Sequence, residues 1–338
     1  MDYKSAGVDI KAGVDSVNRI KPLVKETFNS NVLSHIGGFG GLYQVDLTKW
    51  KEPVLVSSAD GVGTKLIIAR MAGIYDTVGQ DLVNHCVNDI LVQGAIPQYF
   101  LDYVGVGKLK PAVMEKIIFG FSKACKENGM ALIGGEMAEM PGIYSEDDFD
   151  LAGTIVGMVE KKDIITGKEI KAGDVLLGLS STGLHTNGYS LARKILFDKL
   201  NYTVDTILPE IGETVAEVML KVHRSYLNEL VEWATPKDIH GMAHITGGGI
   251  PGNLSRVIPD GVTANVDSTS WETPAIFKLL QEGGGIEISE MYRAFNMGIG
   301  MIVVVDQSLA ETIMKKTDAI VIGNITEATT DEKVRMKY

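Results

Sequence analysis

Short apolar runs alternate with amphipathic stretches on both sides of one polar segment, and this pattern constrains the chain more than any single motif. In the first half, strands are predicted over 53–57, 98–105, 130–134 and 151–159. Helices are predicted over 64–72, 79–93 and 111–128, the last ending on Asn128-Gly129, which suits a helix C-terminus. The segment EKKDIITGKEIKAGD at 160–174 is then polar. Beyond it, strands are predicted over 175–179, 262–266, 299–305 and near 319–325 and 333–337, with helices over 188–200, 213–234, 273–282 and 308–316. Strands alternating with helices in both halves indicate an α/β or α+β class. A length of 338 residues suits two domains, placed at 1–168 and 169–338. Residues 1–21 are polar and are expected to be mobile, or ordered only by a ligand.

The net charge of −11 argues against nucleic-acid and anionic-membrane partners, which select basic surfaces. An acidic protein that takes a phosphate ester must mask its charge locally, with divalent cations and backbone N–H groups. Cys86 and Cys125 stand in no metal-binding spacing, and so sparse a pair points to a reducing compartment. The opening MDYKSAGVDI lacks the basic start and apolar stretch of a signal peptide, and no apolar run is long enough to span a membrane. A cytoplasmic location is expected.

SSADGVGTKLIIARM, at 57–71, places Asp60 before Gly61, Gly63, Thr64 and Lys65 at the start of a helix. Glycines, a hydroxyl and a lysine suit a phosphate, but a carboxylate does not. Asp60 can sit beside a phosphate if Mg2+ lies between them, because Mg2+ takes oxygen ligands from few carboxylates and several phosphates. The Walker A spacing is absent.

In GQDLVNHCVNDILVQGA, at 79–95, Leu82, Val83, Cys86, Val87, Ile90 and Leu91 share one helical side. The other side carries Asp81, Asn84, His85, Asn88 and Asp89. These are poorer helix formers than the Glu, Lys and Gln usual on solvent faces, so a ligand surface and a wet face are both open. In ALIGGEMAEMPG, Glu136 follows a strand end and two glycines, with Glu139 as a possible neighbour. SEDDFD at 145–150 lacks calcium-loop spacing and reads as a solvated loop.

Two loops stand out in the second half. Ser180, Ser181, Thr182, His185, Thr186 and Asn187 crowd the connection from a strand to a helix starting near Gly188, where free N–H groups favour an anion. Further on, Thr246 and Gly247, Gly248 and Gly249 precede a short helix and can form an anion nest. His240 is expected to be structural, with His244 left open. GGGIPG at 247–252 has dinucleotide spacing, but the preceding HGMAHIT reads poorly as a buried strand.

SADGVGTK, GQDLVNHCVNDILVQGA, FLDY, IGGEMAEMPG, STGLHTNGYS, HITGGG and EMYRAFNMGIGM occur in this order. Together they resemble the aminoimidazole ribonucleotide synthetases, also called phosphoribosylformylglycinamidine cyclo-ligases, from YKSAGVDI at 3–10 to the end of the chain. The resemblance implies a cytoplasmic homodimer that uses ATP and Mg2+ in purine biosynthesis. It would convert formylglycinamidine ribonucleotide to aminoimidazole ribonucleotide, ADP and phosphate. It also implies an N-terminal α/β domain contributing strands to a central barrel shared by two subunits, and a C-terminal α/β domain.

By the same resemblance, Asp60, Gly61, Gly63, Thr64 and Lys65 lie at the nucleotide phosphates, with Asn88, Lys21 and a closing loop containing Gly38 and Gly40. Asp60, Asp81, Asp89 and Glu136 are the implied metal ligands. Lys65, Asp89 and His185 are the implied catalytic groups, and Asn187 with Thr246–Gly249 the substrate site.

Relatives sharing this core differ in the residues they need. Selenophosphate synthetase carries a reactive cysteine or selenocysteine where this chain has GGFGG, and the hydrogenase-maturation relative a C-terminal cysteine where this chain ends KVRMKY. Thiamine-monophosphate kinase lacks a match to EMYRAFNMG. A nucleotide-binding regulator without catalysis remains the alternative of a different class.

Overall fold

The computed structural model describes residues 7–338, so the expectation for residues 1–6 lies outside the described residues. Two compact units are present. The first takes in the described residues up to Ile90 together with Ile96–Glu160, and the second Leu91–Ala95 with Lys161–Tyr338.

In chain order the first unit contains α1 (Ile10–Lys25), β1 (Pro53–Gly61), α2 (Lys65–Ala72), α3 (Val78–Leu91), β2 (Ile96–Val106), α4 (Pro111–Glu127), β3 (Ala131–Glu139) and β4 (Phe149–Glu160). The sheet order is β1-β4-β2-β3. Only β2 and β3 run parallel, joined through α4; the other pairs are antiparallel. Phe100 on β2 and Phe121 on α4 pack with ring centres 5.9 Å apart within the core.

Helix α3 is buried on both sides. Leu82, Val83, Cys86, Val87 and Ile90 are fully covered, and so are Asp81 and Asn88 on the polar side, with Asn84 and His85 nearly so. Its polar stripe is therefore not a solvated face. Gly79 allows α4 to approach: a Cβ there would meet the Ile117 carbonyl at 2.5 Å.

The N-terminal arm departs from expectation. Residues 10–21 belong to α1 rather than to a mobile segment. Asp9 caps the helix by accepting from the Lys11 and Ala12 amides, and Ser16, Ile20 and Val24 form a buried stripe. A stripe this short reads weakly amid so many polar residues.

The second unit contains β5 (Val175–Ser180), α5 (Tyr189–Arg193), α6 (Val215–Met219), α7 (Leu227–Leu230), β6 (Ile239–His244), α8 (Gly249–Leu254), β7 (Val262–Asp267), α9 (Ala275–Gly284), α10 (Ile288–Ala294), β8 (Ile299–Val305), α11 (Gln307–Lys316), β9 (Ile320–Glu327) and β10 (Val334–Lys337). Its sheet order is β10-β7-β9-β5-β8-β6.

Three expectations are corrected here. The helix predicted over 213–234 is broken into α6 and α7. Tertiary bonds claim the residues between them: Arg224 pairs with Glu229 and Asp318, and the Tyr226 hydroxyl donates to the Ser180 carbonyl at 2.8 Å. The predicted helix 188–200 begins as α5 and continues in a wider π-helical turn over Lys194–Lys199. HGMAHIT does form a strand, β6, with all six of its residues buried. His240 is satisfied there by Asp174 at 2.7 Å. Even so, three strands separate β6 from β7 in the sheet, so GGGIPG does not open the adjacent βαβ unit of a dinucleotide site.

Candidate active site

In the first unit, register does what linear spacing cannot. Asp60 on β1 is opposite Gly153 on β4, Gly153 is opposite Asp102 on β2, and Asp102 is opposite Gly135 on β3. Two carboxylates thus share one row of the sheet, with a glycine beside each.

Asp60 Oδ1 accepts from the Gly61 amide at 2.7 Å, and its Oδ2 lies 2.8 Å from His85 Nε2. The same nitrogen is 3.6 Å from Asp89 Oδ2, which also accepts from Ser58 Oγ at 3.1 Å. Burial disfavours the His85 imidazolium, but the Asp60 hydrogen bond and the charges of Asp89, Asp60 and Asp81 outweigh it, and the pKa is raised. One ligand atom from each of Asp60, His85 and Asp89 falls within 4.8 Å of the others. The carboxylates of Asp60 and Asp89 fit a hard cation such as Mg2+, which prefers oxygen.

Asp81 and Glu136 lie outside this group. Asp81 faces Lys65, whose Nζ is 2.8 Å from its Oδ2, and neither side chain has any exposed surface. Burial lowers the Lys65 pKa, and Asp81 opposes that shift. Thr64 stands at the N-terminal boundary of α2, and Gly63 before it holds φ at +71°, where glycine is favoured. Asn88 is fully buried beside Asp89.

Glu136 lies instead at a cavity of about 710 Å3. Val17, Ile20 and Val24 of α1 form one wall, Leu132, Ile133 and Gly134 of β3 another, and the Gly37–Gly41 loop, with Gly38 and Gly40, borders it. Lys21 is exposed on α1 and does not line this cavity.

Asp102 also lines the cavity, and sequence reasoning missed it. Burial raises its carboxyl to about 7; its own backbone N–H opposes the rise and the Glu136 charge adds to it. The one signal was a carboxylate amid the apolar and aromatic residues of YFLDYV.

In the second unit, β5 and β6 both run antiparallel to β8, so the loops that follow them leave the sheet at the same end of its strands. His185 is buried at φ +61°. Its Nε2 accepts from the Thr182 amide at 3.1 Å, so the neutral ring carries its proton on Nδ1. The ring stacks on His223 at 4.0 Å, and His223 Nε2 lies 3.0 Å from His244 Nε2. Gly300 on β8 makes room, since a Cβ there would approach His185 to 2.6 Å.

Asn187 lies beside Gly247, where an added Cβ would be 3.3 Å from the Asn187 Oδ1. Asn253 holds the glycine loop by donating to the carbonyls of Thr246, Gly247 and Gly249. Gly248 and Gly249 both have positive φ, and a Cβ on Gly249 would strike the Tyr292 carbonyl. The structure thus brings Asn187 and Thr246–Gly249 together. Asn296, also missed, accepts from Ser181 Oγ and donates to the Gly183 carbonyl, tying the histidine loop to the turn before β8.

These two unlike α/β units, the first with a largely aliphatic cavity that Asp102 and Glu136 also line, define a two-domain enzyme of the AIR synthase-related class. Residues 44–159 match the AIR synthase related protein N-terminal domain, and residues 171–335 the corresponding C-terminal domain. The chain is 50% identical over 328 residues to the phosphoribosylformylglycinamidine cyclo-ligase of Citrifermentans bemidjiense, covering 96% of this chain and 94% of that one. It is 48% identical to the same enzyme of Alkaliphilus metalliredigens, covering 93% and 91%. The chain belongs to the phosphoribosylformylglycinamidine cyclo-ligase family.

Solved structures of similar fold include thiamine-monophosphate kinase from Stenotrophomonas maltophilia, at a TM-score of 0.66 and 16% identity over 96% of both chains. Another is hydrogenase maturation protein HypE in complex with ATP, at 0.65 and 18%, over 93% of this chain and 88% of that one.

Proposed function

We propose that the chain closes the imidazole ring of aminoimidazole ribonucleotide, using formylglycinamidine ribonucleotide and ATP and releasing ADP and phosphate. The observation that carries this reading is half-identity to cyclo-ligases along nearly the whole length of both chains. ATP occupies the first unit, with its base in the α1–β3 cavity and its phosphates toward Asp60, Gly61, Gly63 and Thr64. The Gly37–Gly41 loop closes over it, and Lys21 reaches the nucleotide from α1.

Asp60 and Asp89 would hold Mg2+, with Asp81 as a further carboxylate once Lys65 leaves it, while Glu136 stays at the cavity that takes the base; the ion would offset phosphate charge when bound. Lys65 exchanges Asp81 for a phosphate oxygen as the nucleotide enters, which frees the Asp81 carboxylate. Asp89 orients the reacting phosphate through its place beside Ser58 and His85, and Asn88 supports it.

The substrate's formyl oxygen takes the γ-phosphoryl group, and ADP leaves. A nitrogen of the same molecule then attacks the activated carbon, phosphate departs with that oxygen, and a proton is lost. The attack is intramolecular, so the second unit has mainly to hold the substrate folded. Asn187, Thr246 and the amides of Gly247–Gly249 hold the ribose phosphate, and His185 moves the proton.

A second copy of the chain completes the assembly. Leu55, Ser57 and Ala59 of β1 and Ala152 of β4 stand exposed on the outward face of the sheet. That face closes against its counterpart as a shared barrel. Among the described residues no helix is long and apolar enough to cross a membrane.

Phosphate release from ATP, measured with and without formylglycinamidine ribonucleotide, tests the reading. Release that depends on the amidine is expected. ATP binding with no amidine-dependent release would indicate a nucleotide-binding regulator instead.

A further inference from the structure

We propose that the Asp102 carboxyl accepts a hydrogen bond from the exocyclic amine of the adenine ring in the α1–β3 cavity and so selects ATP among nucleoside triphosphates. The proposal rests on the reading that this unit takes ATP, and it adds the residue that recognises the base.

Three observations place Asp102 in that role. It is only 9% exposed and lines the cavity, whose other walls are mostly aliphatic or glycine. Among the described residues no other group donates a hydrogen bond to its carboxyl; its one such interaction is with its own backbone N–H. A buried carboxyl left this way is costly, and buried polar groups otherwise find partners. The sheet also makes room for it: a Cβ on Gly135 would come 2.2 Å from Asp102 Oδ1.

The chemistry of the missing partner follows. Glu136 is the nearby charge, so phosphate oxygens are repelled while an N–H donor is attracted. The aliphatic walls favour a flat ring carrying that donor. Asp102 and Asp60 share a sheet row two strand spacings apart, about 10 Å. A nucleotide can therefore present its base at one and its phosphates toward the other.

The test is calorimetric binding, without the amidine substrate, of ATP and of purine riboside triphosphate, which lacks the 6-amino group. Wild type, Asp102→Leu and Asp102→Asn are compared, with thermal unfolding to confirm folding. Wild type should favour ATP roughly ten- to a hundredfold, the range of one hydrogen bond to a charged group. Asp102→Leu should bring the two ligands to within about twofold. Asp102→Asn, which keeps an acceptor oxygen, should retain part of the preference. Wild type that binds both ligands equally, or Asp102→Leu with undiminished preference, overturns the proposal. Wild type that binds neither overturns the ATP reading itself.

Discussion

Asp60 and Asp102 face Gly153 from opposite sides, one on each strand flanking β4. Asp60 meets His85 beside Asp89, whereas Asp102 stands in an aliphatic cavity. The same residue type therefore serves two environments on one sheet row. One suits a cation and phosphates, the other a neutral base.

Asp60→Asn is expected to lower amidine-dependent ATP turnover at least tenfold while changing stability by less than about 1 kcal/mol, because the Asp60 side chain is 44% exposed. It should also lower the His85 pKa, since a neutral amide no longer supports the imidazolium. Steady-state kinetics at limiting Mg2+, urea unfolding and NMR titration of the His85 ring supply the readouts. Full activity at limiting Mg2+ would remove Asp60 from the metal site.

The Lys65–Asp81 pair has no exposed surface, so removing one member leaves the other charge buried without its ion-pair partner. Asp81→Asn should cost about 3 kcal/mol or more in urea unfolding. The double variant Lys65→Met/Asp81→Leu should cost less than the two single losses combined. Simple additivity would show that the pair is not coupled.

Asp102 makes stability depend on pH. Its folded pKa is raised from 3.8 to about 7, so the folded state holds a proton that the unfolded chain releases earlier. The stabilisation is full below about pH 4 and is lost as pH rises through about 7, by up to about 4 kcal/mol. Urea unfolding of wild type and Asp102→Leu across this range should give a difference that declines with pH and then levels off. A difference independent of pH would contradict the raised value.

Leu55 is 65% exposed on edge strand β1. If a second copy covers this face, Leu55→Asp should convert the dimer to monomer while leaving circular dichroism unchanged. Light scattering with size-exclusion chromatography decides this, and a dimer that persists in the variant would move the interface elsewhere.

The strands from 53 onward were largely legible because each has a compact apolar run. Helices α2, α3 and α4 were legible from their period. The stretch 220–226 was not, because Arg224 and Tyr226 answer to Asp318 and Ser180, partners remote in sequence. β6 was obscured by its histidines and glycine, which look polar until Asp174 and the flanking sheet satisfy them. Asp60, Asp89 and the glycine loops could be singled out because their residue types are odd for their local settings. Asp102 sat inside a strand, and FLDY was noted only for the family resemblance, not as part of a site.

The order of apolar runs, glycine turns and acidic residues by itself determined two α/β units and most of the groups available for chemistry, because local periodicity and turn preference act over a few neighbouring residues. Only the tertiary structure decided that Asp81 pairs with Lys65 while Asp89 joins Asp60, and that Asp102 opens into a cavity. Strand register and helix packing set those choices, and both depend on contacts between residues far apart in the chain.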